Sequence, residues 1–285
     1  MDNVTDKTIR SASRRRFIHQ TAALGAAALI PPLTQAQDRR VERVGLQLYT
    51  LRREMAENFD ATLARVADLG FKEMEFAGYF GRSASDVRRV LESNGLTSPA
   101  AHIQLNAVRS NLQGEIDYAA ELGQTYIVIP SLPGDERSLD DYKRHAQTLN
   151  SAGEAARRAG LEMGYHNHDF EFARTGGQTH YDVLLNETDP ELVDFEMDLF
   201  WINVAGSDPL AYFASHPGRF TMLHVKDRDT HGRMADVGLG TIDFAGLFSN
   251  VDTAGFRHYF VEHDNPGDGL ASVANSIYTV RNLRF

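Results

Sequence analysis

Cysteine is missing from all 285 residues. No disulfide can form and no thiolate can hold a metal, so any bound ion must rest on nitrogen and oxygen donors. Basic charge is scarce as well: 29 Lys and Arg face 39 Asp and Glu, a formal net charge of −10. A surface that neutralises phosphates needs clustered cations, so nucleic acid is not expected as a partner, and an endonuclease-type phosphodiesterase is disfavoured with it. No glycine-rich phosphate loop follows the first apolar segment, which argues against a doubly wound dinucleotide-binding sheet. No low-complexity linker interrupts the chain beyond its N-terminal segment, so residues 37–285 read as one domain.

Long hydrophobic runs are lacking too. The apolar stretch Thr21 to Ile30 falls short of the ~20 residues that span a bilayer, so no stable membrane insertion is expected. It follows Ser13-Arg-Arg-Arg-Phe-Ile18 and leads to Pro31-Pro32 and Thr34-Gln-Ala36. A charged head, an apolar middle and a small-residue exit make an export signal over residues 1–36, with paired arginines of the twin-arginine type. The expected partner is the twin-arginine export machinery, which carries folded proteins, and the expected destination is the periplasm or the exterior. Five Lys/Arg and two Asp/Glu lie in that segment, so its removal takes the charge from −10 to −13.

What remains, with 42% hydrophobic residues overall, supports a sizeable core. Short apolar strands alternate with segments of helical spacing. Strands are predicted at Val44–Tyr49, Lys72–Ala77, Ser98–Leu105, Tyr126–Ile129, after Gly160, at Val193–Met197, Phe220–Val225 and His258–Val261. Helices are predicted between them, at Asp60–Leu69, Glu115–Leu122, Leu139–Ala159, Tyr181–Glu187 and Ile242–Val251, with Ala271–Val280 closing the chain. Eight strand-then-helix units in roughly 250 residues point to a (β/α)₈ barrel. The polar, glycine-containing segment 226–240 is the best candidate for a long active-site loop.

The chemistry collects at the downstream ends of these strands, where such barrels carry their sites. Glu75, His102, His166, Asp198, His224 and Glu262 all fall there. Each would be costly to bury without a partner, so their convergence calls for a cation or a polar ligand. Asp198, His224 and Glu262 agree in position across three successive strands and are read as metal ligands, with His166 as a fourth. A lone strand-end histidine such as His102 is more often a hydrogen-bonded wall residue, and Glu75 can equally be a solvated rim carboxylate. Asp169 and Glu171 read as loop or helix-start acids, and Glu187, Asp189 and Asp194 as surface charge.

Several segments carry a family resemblance: Gly45-Leu-Gln-Leu-Tyr-Thr-Leu-Arg52, Leu69-Gly-Phe-Lys-Glu-Met-Glu75, Ala101-His102, Met197-Asp-Leu-Phe-Trp201, Leu223-His-Val-Lys-Asp227, Gly238-Leu-Gly-Thr-Ile-Asp-Phe244 and Phe260-Val-Glu-His-Asp264. In order and spacing, from Arg43 to the C-terminus, the chain resembles the xylose isomerase-like barrels, the sugar phosphate isomerase/epimerase group. The resemblance implies a divalent cation held by Glu, Asp, His and Glu at successive strand ends. The last three fall on Asp198, His224 and Glu262. The first falls where this chain has His166-Asn167-His168 in place of a Glu-Asn-His stretch, so one of the family's two proton-shuttling glutamates is replaced.

The implied chemistry is proton abstraction from carbon next to a carbonyl. A cation, Mn²⁺ first and Zn²⁺, Co²⁺ or Mg²⁺ as alternatives, would chelate a carbonyl and an adjacent hydroxyl and stabilise the enediolate. Glu262 is expected as base, with His166 or His168 as the second acid/base. Glu75, His102, Lys226 and Trp201 are expected around a carbohydrate substrate, Lys226 on an oxygen and Trp201 against a sugar face. Three functions compete: an isomerase or epimerase of a keto-sugar or polyol; a lyase or hydratase expelling a β-substituent from an oxidised glycoside; and a non-catalytic sugar-binding barrel. The first is the leading expectation; the histidine in place of glutamate and the export signal raise the second beside it. A homo-oligomer is compatible with the sequence.

Overall fold

The computed structural model describes residues 39–285; the export signal expected over residues 1–36 lies outside them. Among the described residues no helix is long and apolar enough to cross a membrane.

Eight parallel strands close into a barrel: β1 (Val44–Gln47), β2 (Glu73–Phe76), β3 (Thr97–His102), β4 (Tyr126–Ile129), β5 (Glu162–His166), β6 (Val193–Asp198), β7 (Phe220–Val225) and β8 (His258–Val261). Each pairs with its sequence neighbour, and β8 closes on β1 through Val44–Tyr259 and Leu46–Val261. The expected (β/α)₈ architecture is therefore the observed one.

Alternation along the strands decides what faces where. On β6, Val193, Phe195 and Met197 join the large apolar shell beneath the helices, so Asp194, Glu196 and Asp198 face the barrel's interior. The same parity turns Gln47, Glu75, His102, His166, His224 and Glu262 inward at the downstream ends. Below them, Ala100, Tyr126, Val128, Met222 and Phe260 form a separate buried apolar cluster. This plug leaves no pore, and it leaves the polar groups above it without water from below. Its close packing needs Gly45, because a Cβ there would stand 2.5 Å from the Phe260 ring.

Some boundaries differ from the sequence reading, for local reasons. β1 stops at Gln47, whose side-chain oxygen accepts the Tyr49 N–H and opens a 3₁₀ turn over Leu48–Leu51. The helix after β3 starts at Leu105, ten residues before Glu115, and bends at Asn111, where the backbone leaves helical geometry. The expected helix over 242–251 is two short ones, Phe244–Phe248 and Val251–Ala254. The long helix Leu139–Arg158 begins with a Ser138–Asp141 capping box. Past its end, Gly160 takes a left-handed φ of 78° and turns the chain into β5.

Candidate active site

Asp198 ends β6 and simultaneously caps the helix Leu199–Val204, its Oδ1 accepting the Trp201 N–H at 2.9 Å. Its own N–H donates to Asn167 Oδ1 at 3.0 Å, which ties the end of β6 to the loop after β5. With Oδ1 occupied by the cap, Oδ2 points to the mouth, 3.2 Å from His166 Nε2 and 2.8 Å from Lys226 Nζ.

His166 lies 3.0 Å through Nδ1 from the carbonyl oxygen of Pro130. A carbonyl accepts only, so Nδ1 carries the proton and Nε2 presents a lone pair to the mouth. His224 is held in the reverse sense. Its Nε2 lies 2.7 Å from Glu75 Oε2, leaving Nδ1 facing Glu262 Oε2 at 2.7 Å and Asp198 Oδ2 at 3.6 Å. Nδ1 of His224 and Oε2 of Glu262 are both enclosed, yet neither makes a hydrogen bond of acceptable geometry.

Ligand atoms from His166, Asp198, His224 and Glu262 all lie within 4.8 Å of one another. Two imidazole nitrogens and two carboxylates turned to one point fit a divalent cation of the borderline class. Lys226 already contributes positive charge here. Its ammonium lies 2.8 Å from Asp198, 2.6 Å from Glu262 and 2.8 Å from Asp264. Burial opposes the charged lysine, but these three carboxylates overcome it and raise its pKa well above the ordinary value. Burial likewise opposes ionisation of Glu262, and Lys226 and His224 overcome it, holding the carboxyl far below the usual range.

A second layer lies beneath. Glu75 and Glu196 are fully enclosed. His102 Nε2 lies 2.8 Å from Glu196 Oε2 and 3.4 Å from Glu75 Oε1, and Gln47 donates to Glu75 Oε2 at 2.8 Å. His224 Nε2 is 3.2 Å from Glu196 Oε2, so its ring joins the two layers.

Every residue read from the sequence as a ligand converges on the mouth. Of the other expected site residues, Lys226, His168 and Trp201 lie at or beside the mouth, and Glu75 and His102 lie in the layer beneath it. His168 projects from the loop after β5, its ring 5.0 Å from that of His166 and 5.5 Å from that of Trp201. Burial first, and then His166, lower its pKa to about 3, so it is a neutral imidazole at ordinary pH. Trp201 and Phe200 line a cavity of about 510 Å³ beside the mouth, with Met234, His263 and Asp264. Glu75 is enclosed rather than on the rim.

Other readings require correction. Glu171 lies in the first turn of a 3₁₀ helix over Phe170–Phe172, as a helix-start acid, but it is fully buried, accepting from Tyr165 OH at 2.6 Å and from the His168 N–H at 2.8 Å. Burial outweighs those bonds and raises its pKa to about 7. Asp194 is not free surface charge: burial, and then its hydrogen bond with Glu162, raise its pKa to about 7 at the barrel's lower end. Glu196 and Asp264 were missed. The signal for Glu196 was its spacing of two from Asp198, which on a strand puts both on one face. Segment 226–240 is indeed folded beside the mouth. Asp227–Arg228 pairs with Met234–Ala235, and the Asp227 carboxylate accepts from the N–H groups of Arg228, Gly238, Gly240 and Ile242 at 2.8–3.1 Å.

A closed parallel barrel with imidazoles and carboxylates gathered at its C-terminal mouth defines a class of small-molecule barrel proteins. Within it, the chain belongs to the xylose isomerase-like TIM barrel family, whose model matches residues 15–278. It is similar to an inosose dehydratase of Geobacillus thermodenitrificans, 24% identical over 255 residues, 75% of this chain and 84% of that one. Inosose dehydratase 2 of Bacillus cereus is also 24% identical, over 259 residues, 76% of this chain and 86% of that one. The solved structure of a sugar phosphate isomerase/epimerase from Parabacteroides distasonis superposes with a TM-score of 0.73 at 29% identity, covering 85% of this chain and 96% of that one.

Proposed function

We propose that this protein is a divalent-metal-dependent enzyme that removes a proton from carbon next to the carbonyl of a keto-sugar or keto-cyclitol and expels a β-hydroxyl as water. The observation that carries this reading is the convergence of His166, Asp198, His224 and Glu262 at the mouth, their ligand atoms within 4.8 Å of one another, with an imidazole rather than a second carboxylate at the end of β5. The relatives that are dehydratases support elimination; the solved isomerase/epimerase keeps epimerisation as the second reading.

His166, Asp198, His224 and Glu262 would hold the cation, which supplies Lewis-acid polarisation of a carbonyl and a neighbouring hydroxyl oxygen. The Pro130 carbonyl and the Glu75 carboxylate fix the two imidazole tautomers in advance, so little reorganisation is required on binding. Glu262 takes the proton from the α-carbon through a carboxylate oxygen. It then returns that proton to the departing β-hydroxyl, so that water leaves and the carbon–carbon double bond forms with no net change at the enzyme. Lys226 keeps Glu262 ionised before the reaction and accepts no proton itself. His168, with Trp201 and Phe170 around it, closes the opposite side and keeps water from the substrate ring. The enzyme would act after export, in the periplasm or outside the cell.

Incubating the metal-loaded protein with a keto-cyclitol, and separately with keto-hexoses and 3-keto-glycosides, in D₂O and following the products by NMR tests the proposal. Loss of water with an alkene carbon signal is expected. Deuterium exchange with the skeleton retained and one centre inverted would favour epimerisation. No exchange and no elimination on any substrate would leave a sugar-binding barrel.

A further inference from the structure

We propose that the layer beneath the mouth, formed by Glu75, His102 and Glu196, is a second metal site, holding its own divalent cation of the class bound by nitrogen and oxygen donors. The inference goes beyond the reading above, in which a first ion takes Nδ1 of His224, and stands on separate residues.

The argument starts from charge. In the upper layer Asp198, Glu262 and Asp264 share one ammonium, that of Lys226. The lower layer has no counterpart to it. Among the described residues, the ion partners of Glu75 and Glu196 are the imidazoles of His102 and His224. No lysine or arginine is among those partners, so two fully enclosed carboxyl groups meet only two imidazoles, a donor set that an added cation would complete.

Geometry points the same way. Glu75 Oε1 and Glu196 Oε1 are both enclosed with no hydrogen-bond partner. His102 Nε2 is 3.4 Å from the first and 2.8 Å from the other oxygen of Glu196. Ligand atoms of this set and of His224 lie within 4.8 Å of one another. Ligands bonded at ~2.0–2.2 Å around one ion sit at comparable separations. The three residues come from β2, β3 and β6, on opposite walls of the barrel, so one ion would tie the walls together. The His102 side chain, 9% exposed, is the edge of the set that solvent reaches. One imidazole and two carboxylates suit Zn²⁺, Mn²⁺ or Co²⁺.

The test is metal content per chain, by mass spectrometry of the elements, after loading the full protein with Mn²⁺ or Zn²⁺ and desalting. The wild type should retain about two ions, and Glu196→Gln and Asp198→Asn about one each, as independent sites require. The Glu196→Gln protein should also lose the part of the metal-induced rise in melting temperature that Asp198→Asn keeps. His102→Gln, at the partly exposed edge, gives the same readout should Glu196→Gln fail to fold by circular dichroism. A wild type with a single ion that both lower-layer variants keep overturns the proposal, and a shared proton then balances the two glutamates. A single ion lost in either layer's variants means one centre on His224 and also overturns it. Loss of an ion in Glu196→Gln but not in Asp198→Asn upholds the lower site and removes the upper reading. A wild type that retains no ion removes both.

Discussion

The Nδ1 of His166 lies 3.0 Å from the carbonyl oxygen of Pro130, the residue that ends the neighbouring strand. The contact assigns the tautomer and turns the lone pair of Nε2 to the mouth. A lone pair so aimed is what a metal-ligating imidazole requires. His166→Ala should therefore weaken metal binding by about a hundredfold, as loss of a ligand or its orienting partner does. Calorimetric titration with Mn²⁺ or Zn²⁺ measures this. Unchanged affinity would show that the ion is held without β5.

Glu262→Gln keeps size and hydrogen-bonding capacity but removes the proton acceptor. Loss of a general base at this step should lower kcat by about 10²–10⁴-fold. Solvent deuterium exchange at the α-carbon should fall in parallel, since abstraction precedes both outcomes. Exchange at the wild-type rate would place the base elsewhere, with His168 next to be replaced.

Asp227 is the clasp of the loop beside the mouth. Its carboxylate accepts four backbone N–H groups, and a Cβ at Gly240 would collide with it. Hydrogen bonds to a charged acceptor are worth about 1.5–3 kcal/mol each but do not add fully. Asp227→Ala should cost about 3 kcal/mol or more by the same values. Urea unfolding should show this as a lower midpoint at unchanged slope. Asp227→Asn, which keeps one acceptor oxygen, should fall between. Equal stability of all three proteins would mean the loop is held by its apolar contacts.

Glu171 makes stability depend on pH in a stated direction. Its folded pKa, about 7, lies above the ordinary value of 4.5 for a glutamate. Between those values the folded state keeps a proton that the unfolded state has released. Stability contributed by this group is thus fully present below about pH 4.5 and is lost as pH rises towards 7, by about 3 kcal/mol at most. Glu171→Gln should remove that slope and be relatively more stable at pH 8, because the Tyr165 hydroxyl can turn to accept from the amide. Denaturant unfolding at a series of pH values decides it. An unaltered slope would assign the dependence to other groups, such as Asp194.

The sequence by itself determined the barrel and the strand-end placement of the upper ligands. Eight apolar runs of strand length, separated by helical periodicity, admit few other closed arrangements, and a strand's period of two assigns each residue to one face. Local signals worked where local physics rules, as at Gly160. They failed where a backbone departs from regular geometry for non-local reasons, as in the bend at Asn111.

Only the tertiary structure decided what the inward groups do to one another. That Glu171 is sealed, that Glu196 and Glu75 meet from opposite walls, and that Lys226 is shared among three carboxylates depend on barrel closure, which joins residues far apart in the chain, as Glu75 and His224 are at 149 positions. Charge state follows from desolvation and neighbours, and neither is written in the residue type.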